Sequence, residues 1–164
     1  MIQIDEIGNK LCKAQAKIFE ASLSETSCSS AVFLRRYMNS DFAGRMDEGS
    51  YLFESNSEKS AIDEIEQQFG KSEYGKIRYS ENELYWMGYL YRYWCYTYKK
   101  SSKQVYKIIK PAELRELFFS YHTLDTAAAI ERILEAKNRR EEDMTKRGVE
   151  ILRKIINSNP EYSF

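Results

Sequence analysis

The amino-acid sequence predicts an all-α fold, a compact bundle of about six to eight helices around a buried aromatic helix at about residues 81–100. Three observations predict it. Apolar residues recur at intervals of three and four along most of the chain. Breakers are scarce, with two Pro and seven Gly in 164 residues, so long helices are allowed. Ser and Asp precede several of the periodic stretches, where their side chains can accept the free N–H groups of a first turn.

The elements follow in order. Ile4, Ile7, Leu11, Ala14 and Ile18 mark an amphipathic helix over about residues 3–22. Residues 22–30 are rich in Ser and read as a loop ending in a cap. Val32, Phe33, Leu34 and Tyr37 make a second helix, and Ser40 and Asp41 can cap a short third one through Met46. The segment Tyr51-Leu52-Phe53 reads as a short extended piece or a loop that plugs the core. Ala61, Ile62, Ile65 and Phe69 mark a helix stopped by Gly70. Residues 74–79 are at most a short strand or turn.

Ser80 and Glu83 have capping-box spacing and start the aromatic helix. Trp86, Leu90 and Trp94 share one stripe, expected at the centre of the core. Tyr85, Tyr89, Arg92 and Tyr96 form the opposite stripe, expected to be partly exposed or a hydrogen-bonded seam. Ser101 or Ser102 caps a short helix through Ile109, and Pro111 opens another through about Phe119. Asp125 can cap a long final segment, either one rod or two pieces hinged near Gly148. The chain reads as one helical domain, 1–164, with 138–164 as a charged helical extension.

Composition narrows the function classes. Lys plus Arg number 25 and Asp plus Glu number 25, so no general attraction for nucleic acid or anionic lipid is expected beyond a local patch. The single His excludes a metal site built from several imidazoles. Cys12, Cys28 and Cys95 have no CxxC pairing and read as buried hydrophobes in a reducing compartment, neither a disulfide framework nor a zinc motif. The start, MIQIDEIGNK, has no signal-peptide pattern, and residues 84–98 are too short and too polar for a bilayer span. A soluble cytoplasmic protein without metal or cofactor is expected.

No phosphate-binding glycine loop, HExxH or GxSxG motif is present. Arg115 and His122, with REL and FFSY of the sequence between and around them, resemble the catalytic motif of HEPN ribonucleases. There the Arg would steady phosphate and the His would serve as general acid–base in metal-independent RNA cleavage. The structural alternative makes Arg115 an ion-pair partner of a nearby Glu and sets the His122 imidazole over a helix-end carbonyl. Residues 101–119, with Lys103, Lys107 and Lys110, have the outline of a helix-turn-helix, but Pro111 at the corner and a second helix that is not basic argue for core helices. Arg35 and Arg36 beside Tyr37, and the acidic group Asp63, Glu64 and Glu66, read as solvated helix faces. As an interface, Tyr85, Tyr89, Arg92 and Tyr96 offer the side-chain types enriched at binding hot spots.

The stretches FLRRYMNSDFAGRMD (33–47), LYWMGYLYRYWCYTYKKSSKQVYKIIKPAELREL (84–117) and YHTLDTAAAIERILEAK (121–137) resemble a group of small uncharacterised helical proteins of Firmicutes. These are encoded in operons that resemble toxin–antitoxin modules. The resemblance spans about residues 5–137 and transfers no catalytic residue. It implies a bacterial cytoplasmic protein that binds and neutralises a cognate toxin. That protein-binding, antitoxin-like function, without enzymatic activity, is the leading expectation. The ribonuclease is the first alternative and a DNA-binding regulator the second.

Overall fold

Asp5 starts the first helix by accepting the Gly8 N–H at 2.8 Å. The computed structural model describes residues 1–158 of the chain, and positions 159–164 of the expected extension lie outside them. Helix α1 spans Glu6–Glu25. It outruns the expected end because Ser22 turns its hydroxyl back onto the Phe19 carbonyl and so stays inside the helix. Helix α2, Ser30–Met38, is capped by Ser29, and α3, Asp41–Asp47, by Ser40. A 3₁₀ turn follows at Ser50–Phe53. Helix α4, Glu58–Phe69, begins with a Ser57–Ser60 capping box and stops at Gly70, whose φ of 81° an L side chain would resist.

Helix α5, Glu81–Tyr98, begins at the Ser80–Glu83 capping box. Helix α6, Ser102–Ile108, has its own box from Ser101 and Gln104. Pro111 opens α7, Pro111–Glu116, and a single turn, α8, Phe118–Tyr121, follows. Helix α9 runs Thr126–Ser158 as one rod, without a break at Gly148. The protein is all-α, and among the described residues there is no strand.

The chain divides into two compact units, Met1–Ala127 and a second that begins at Ala128. The first is built on the pair α1 and α5, with α2, α4, α6 and α7 packed around it. Gly88 sets how closely that pair approaches. A Cβ there would lie 2.8 Å from Ala16 Cα and 3.0 Å from the Gln15 carbonyl oxygen, so the two backbones touch. Leu11, Cys12, Ala16 and Phe19 of α1 meet Leu84, Met87, Leu90, Tyr91 and Trp94 of α5 in the core. Phe19 meets Tyr37 of α2 edge-on at 4.9 Å.

Trp86 is not at the core centre. Leu90 and Trp94 are fully buried, but Trp86 is only half-buried. The buried stripe runs through Leu84, Met87, Tyr91 and Trp94, which turns Trp86 toward α8 and the surface. Tyr51-Leu52-Phe53 does not plug the core either. It forms the 3₁₀ turn, with Phe53 93% exposed. Residues 74–79 form no strand, yet they are tied down. Ser29 and Ser30 donate their N–H groups to the Tyr74 and Ile77 carbonyls, at 2.9 and 3.0 Å. The Arg78 guanidinium donates to the Leu23 carbonyl in the last turn of α1 and to the Thr26 and Cys28 carbonyls just past its end.

In the second unit Ala129, Ile130 and Ile133 are buried, and no side chain from position 138 to 158 is. Among the described residues no helix is long and apolar enough to cross a membrane.

Candidate functional site

The first half of α5 and the single turn of α8 frame an aromatic cleft in the first unit. The Ser80–Glu83 box fixes where α5 starts and so where Tyr85, Trp86 and Tyr89 project. Leu117 ends α7 and begins α8, leaving one turn to hold two successive phenylalanines. Phe118 packs edge-on against Trp86 at 5.6 Å, and Phe119 is left 86% exposed. His122 stacks on Phe118 with centroids 4.5 Å apart, and its Nδ1–H donates to the Phe118 carbonyl at 2.7 Å. That bond leaves Nε2 without a bond to the helix.

The cleft has a volume of about 450 Å³ and is lined by Glu20, Asn82, Tyr85, Trp86, Tyr89, Phe118, Phe119 and His122. No Lys or Arg lines it. Glu20 has no ion pair among the described residues. Aromatic ring faces carry negative potential, and a carboxylate adds to it, so the cleft favours an apolar group that carries positive charge. Tyr89 anchors one wall by donating its hydroxyl to Asn9 Oδ1 at 3.1 Å.

The sequence-predicted stripe divides among three places. Tyr85 and Tyr89 line the cleft. Tyr96 belongs to the hydrogen-bonded seam: its hydroxyl reaches both Asp5 oxygens, at 2.7 and 2.8 Å. The Gly8 N–H first, and then Tyr96, hold the Asp5 carboxyl below its ordinary pKa. Arg92 is not available to a partner, because it is 1% exposed. Its Nε donates to Gln15 Oε1 at 2.8 Å, one terminal nitrogen to Ser102 Oγ at 2.8 Å, and the other to Asp47. Gln15 in turn donates to the Gly88 carbonyl and accepts from the Tyr37 hydroxyl. Burial would lower the Arg92 pKa, but Cys95, Tyr37 and Asp47 more than reverse that. The guanidinium is a charged structural hub.

Arg115 and His122 line separate cavities. Arg115 donates to Glu83 Oε2 at 2.8 Å and lies 4.5 Å over the Tyr79 ring. Its cavity, about 310 Å³, is bounded by Ser29, Gly75, Tyr79 and Glu116, none of which borders the aromatic cleft. The possible DNA-contacting lysines are dispersed. Lys110 sits 4.0 Å over the Tyr106 ring, and Lys103 lines a third cavity together with Arg45, Lys99 and Lys100, where Asp41, Asp47 and Glu48 offset most of their charge. Arg36 donates to the Gly70 carbonyl beside Phe69, and Glu64 pairs with Arg45 at 2.6 Å. Among the described residues no group of three His, Cys, Asp or Glu is placed to hold a metal ion.

Sequence reasoning missed Phe118, Phe119 and Gln15. The signal for the first two was a Phe-Phe pair just past a short helix, where one turn can bury only one of two adjacent rings. The signal for Gln15 was a lone amide on the apolar face of α1, since a buried amide needs partners. No protein-family model, curated protein or solved structure matches this chain.

Proposed function

We propose that this chain is a protein-binding module, the antitoxin-like partner in a bacterial toxin–antitoxin operon, and that it grips its toxin through the aromatic cleft. One observation carries the reading: Phe119 stands 86% exposed at the mouth of a cleft walled by Trp86, Phe118 and two tyrosines. Water-exposed rings around a concavity are costly for a free protein and are the residue types that dominate binding energy. Glu20 and the ring faces favour a Lys or Arg side chain of the toxin as the group that enters. The resemblance to operon-encoded helical proteins supplies the class of partner. Catalysis by Arg115 and His122 has less support, since Arg115 is committed to Glu83 and Tyr79.

The test is co-expression with the product of the adjacent gene. The reading expects restored growth and a co-purifying complex. Trp86→Ala with Phe119→Ala should weaken that complex by about 30-fold or more, the loss of a hot spot. The far-UV spectrum should stay unchanged. Tyr96→Phe, outside the cleft, should bind as the parent does. Absence of both rescue and complex, or a double variant that binds undiminished, overturns the reading.

A further inference from the structure

The rings around the aromatic cleft stand at corners to one another. Phe118 meets Trp86 at 76° and Phe119 at 73°, with centroids 5.6 and 5.9 Å apart. Walls at such angles suit a rounded group that touches several rings at once. Tyr85 and Tyr89 of α5 and Glu20 of α1 extend the lining. Glu20 is half-buried, and its carboxylate makes no ion pair among the described residues.

A side chain brought by a protein partner is also held by the contacts around it, whereas a free small molecule must gain everything from the cleft. That difference narrows the chemistry of a small ligand. A free primary ammonium gives up its hydrogen bonds to water, and a lining dominated by Tyr85, Trp86, Tyr89, Phe118 and Phe119 replaces few of them. A quaternary ammonium has no N–H to satisfy, and its charge is spread over methyl groups that pack on ring faces. The rest of the ligand is constrained as well. With no Lys or Arg in the lining, a carboxylate or phosphate on the same molecule would find no cation and would meet Glu20. Asn82 and His122 Nε2, which the helix leaves unbonded, can serve a hydroxyl instead.

We infer that the cleft binds a small quaternary ammonium of the choline type, a trimethylammonium head on a short neutral tail. The inference rests on the cleft as a site for positive charge, as the proposed function does, and needs no toxin.

The test titrates the full chain, alone, with choline, with its neutral isostere in which carbon replaces nitrogen, with ethanolamine and with phosphocholine, following the ligand protons by NMR. Choline should bind with a Kd on the order of 1 mM. The other three should each bind about tenfold more weakly or worse. Phe119→Leu changes a side chain that is 86% exposed, so folding is not at stake; it keeps the apolar bulk and removes the ring. It should weaken choline by about threefold or more and leave the isostere unchanged. Trp86→Ala should weaken choline by about tenfold or more, Glu20→Gln by about threefold, and Tyr96→Phe not at all. A choline Kd above about 20 mM overturns the inference. So does an isostere, ethanolamine or phosphocholine that binds as tightly as choline, or undiminished binding by both Trp86→Ala and Phe119→Leu. The two readings of the cleft fail separately. Co-expression without rescue or complex leaves choline binding standing, and a toxin complex formed by a chain that ignores choline sinks this inference alone.

Discussion

Arg92 reaches its partners across long stretches of chain: Gln15 lies 77 residues away, Asp47 45 and Ser102 10. Helical spacing put Arg92 on an outward stripe with Tyr85, Tyr89 and Tyr96, since a charge usually seeks water. No local pattern could reveal three polar groups converging on it from elsewhere. Arg92→Met should cost about 3–5 kcal/mol in urea unfolding, because it leaves the Asp47 carboxylate without its cation and removes one hydrogen bond each from the buried Gln15 and Ser102. Arg92→Lys should recover only part of that, since an ammonium cannot fork to three partners. Glu83 provides the pH counterpart. Burial alone would raise its pKa, but the Ser80 N–H and the Arg115 guanidinium more than reverse this and hold the carboxyl below its ordinary value. Its contribution to stability is therefore present above about pH 4.3 and is lost as pH falls through the lower folded value. Glu83→Gln should lower stability at pH 7 by about 1 kcal/mol and flatten the acid limb of a stability–pH profile.

Helix starts were the most legible features, because capping is local chemistry. Ser29, Ser40, Ser80 and Ser101 all cap the helices that follow them. Helix faces were less legible. A stripe drawn through Trp86, Leu90 and Trp94 is compatible with the spacing, yet Gly88 decides the orientation by bringing α1 onto its own side of α5. Gly88→Ala should thus destabilise by about 1–3 kcal/mol despite the better helix propensity of Ala. Gly44 gives the contrast. It lies within α3 with nothing near its missing Cβ, so Gly44→Ala should raise stability by about 0.5–1 kcal/mol in the same unfolding assay.

At the scale of the molecule, the aromatic cleft was only half legible. Tyr85 and Tyr89 were singled out by spacing, but Phe118, Phe119 and His122 join them through the turn after Leu117, a tertiary event. Since no side chain between 138 and 158 is buried, ending the chain at Lys137 should shift the urea-unfolding free energy by no more than about 0.5 kcal/mol. A final consequence follows from where the three sulfurs lie. Cys12, Cys28 and Cys95 are all buried, and burial pushes the Cys12 and Cys95 thiols up to about 12 and about 11. An alkylating reagent can reach them only when the fold around each one opens. The chain thus carries its own stopwatches: one in α1, one just ahead of α2 and one in α5. The order in which they become modified would time which part of the molecule lets go first.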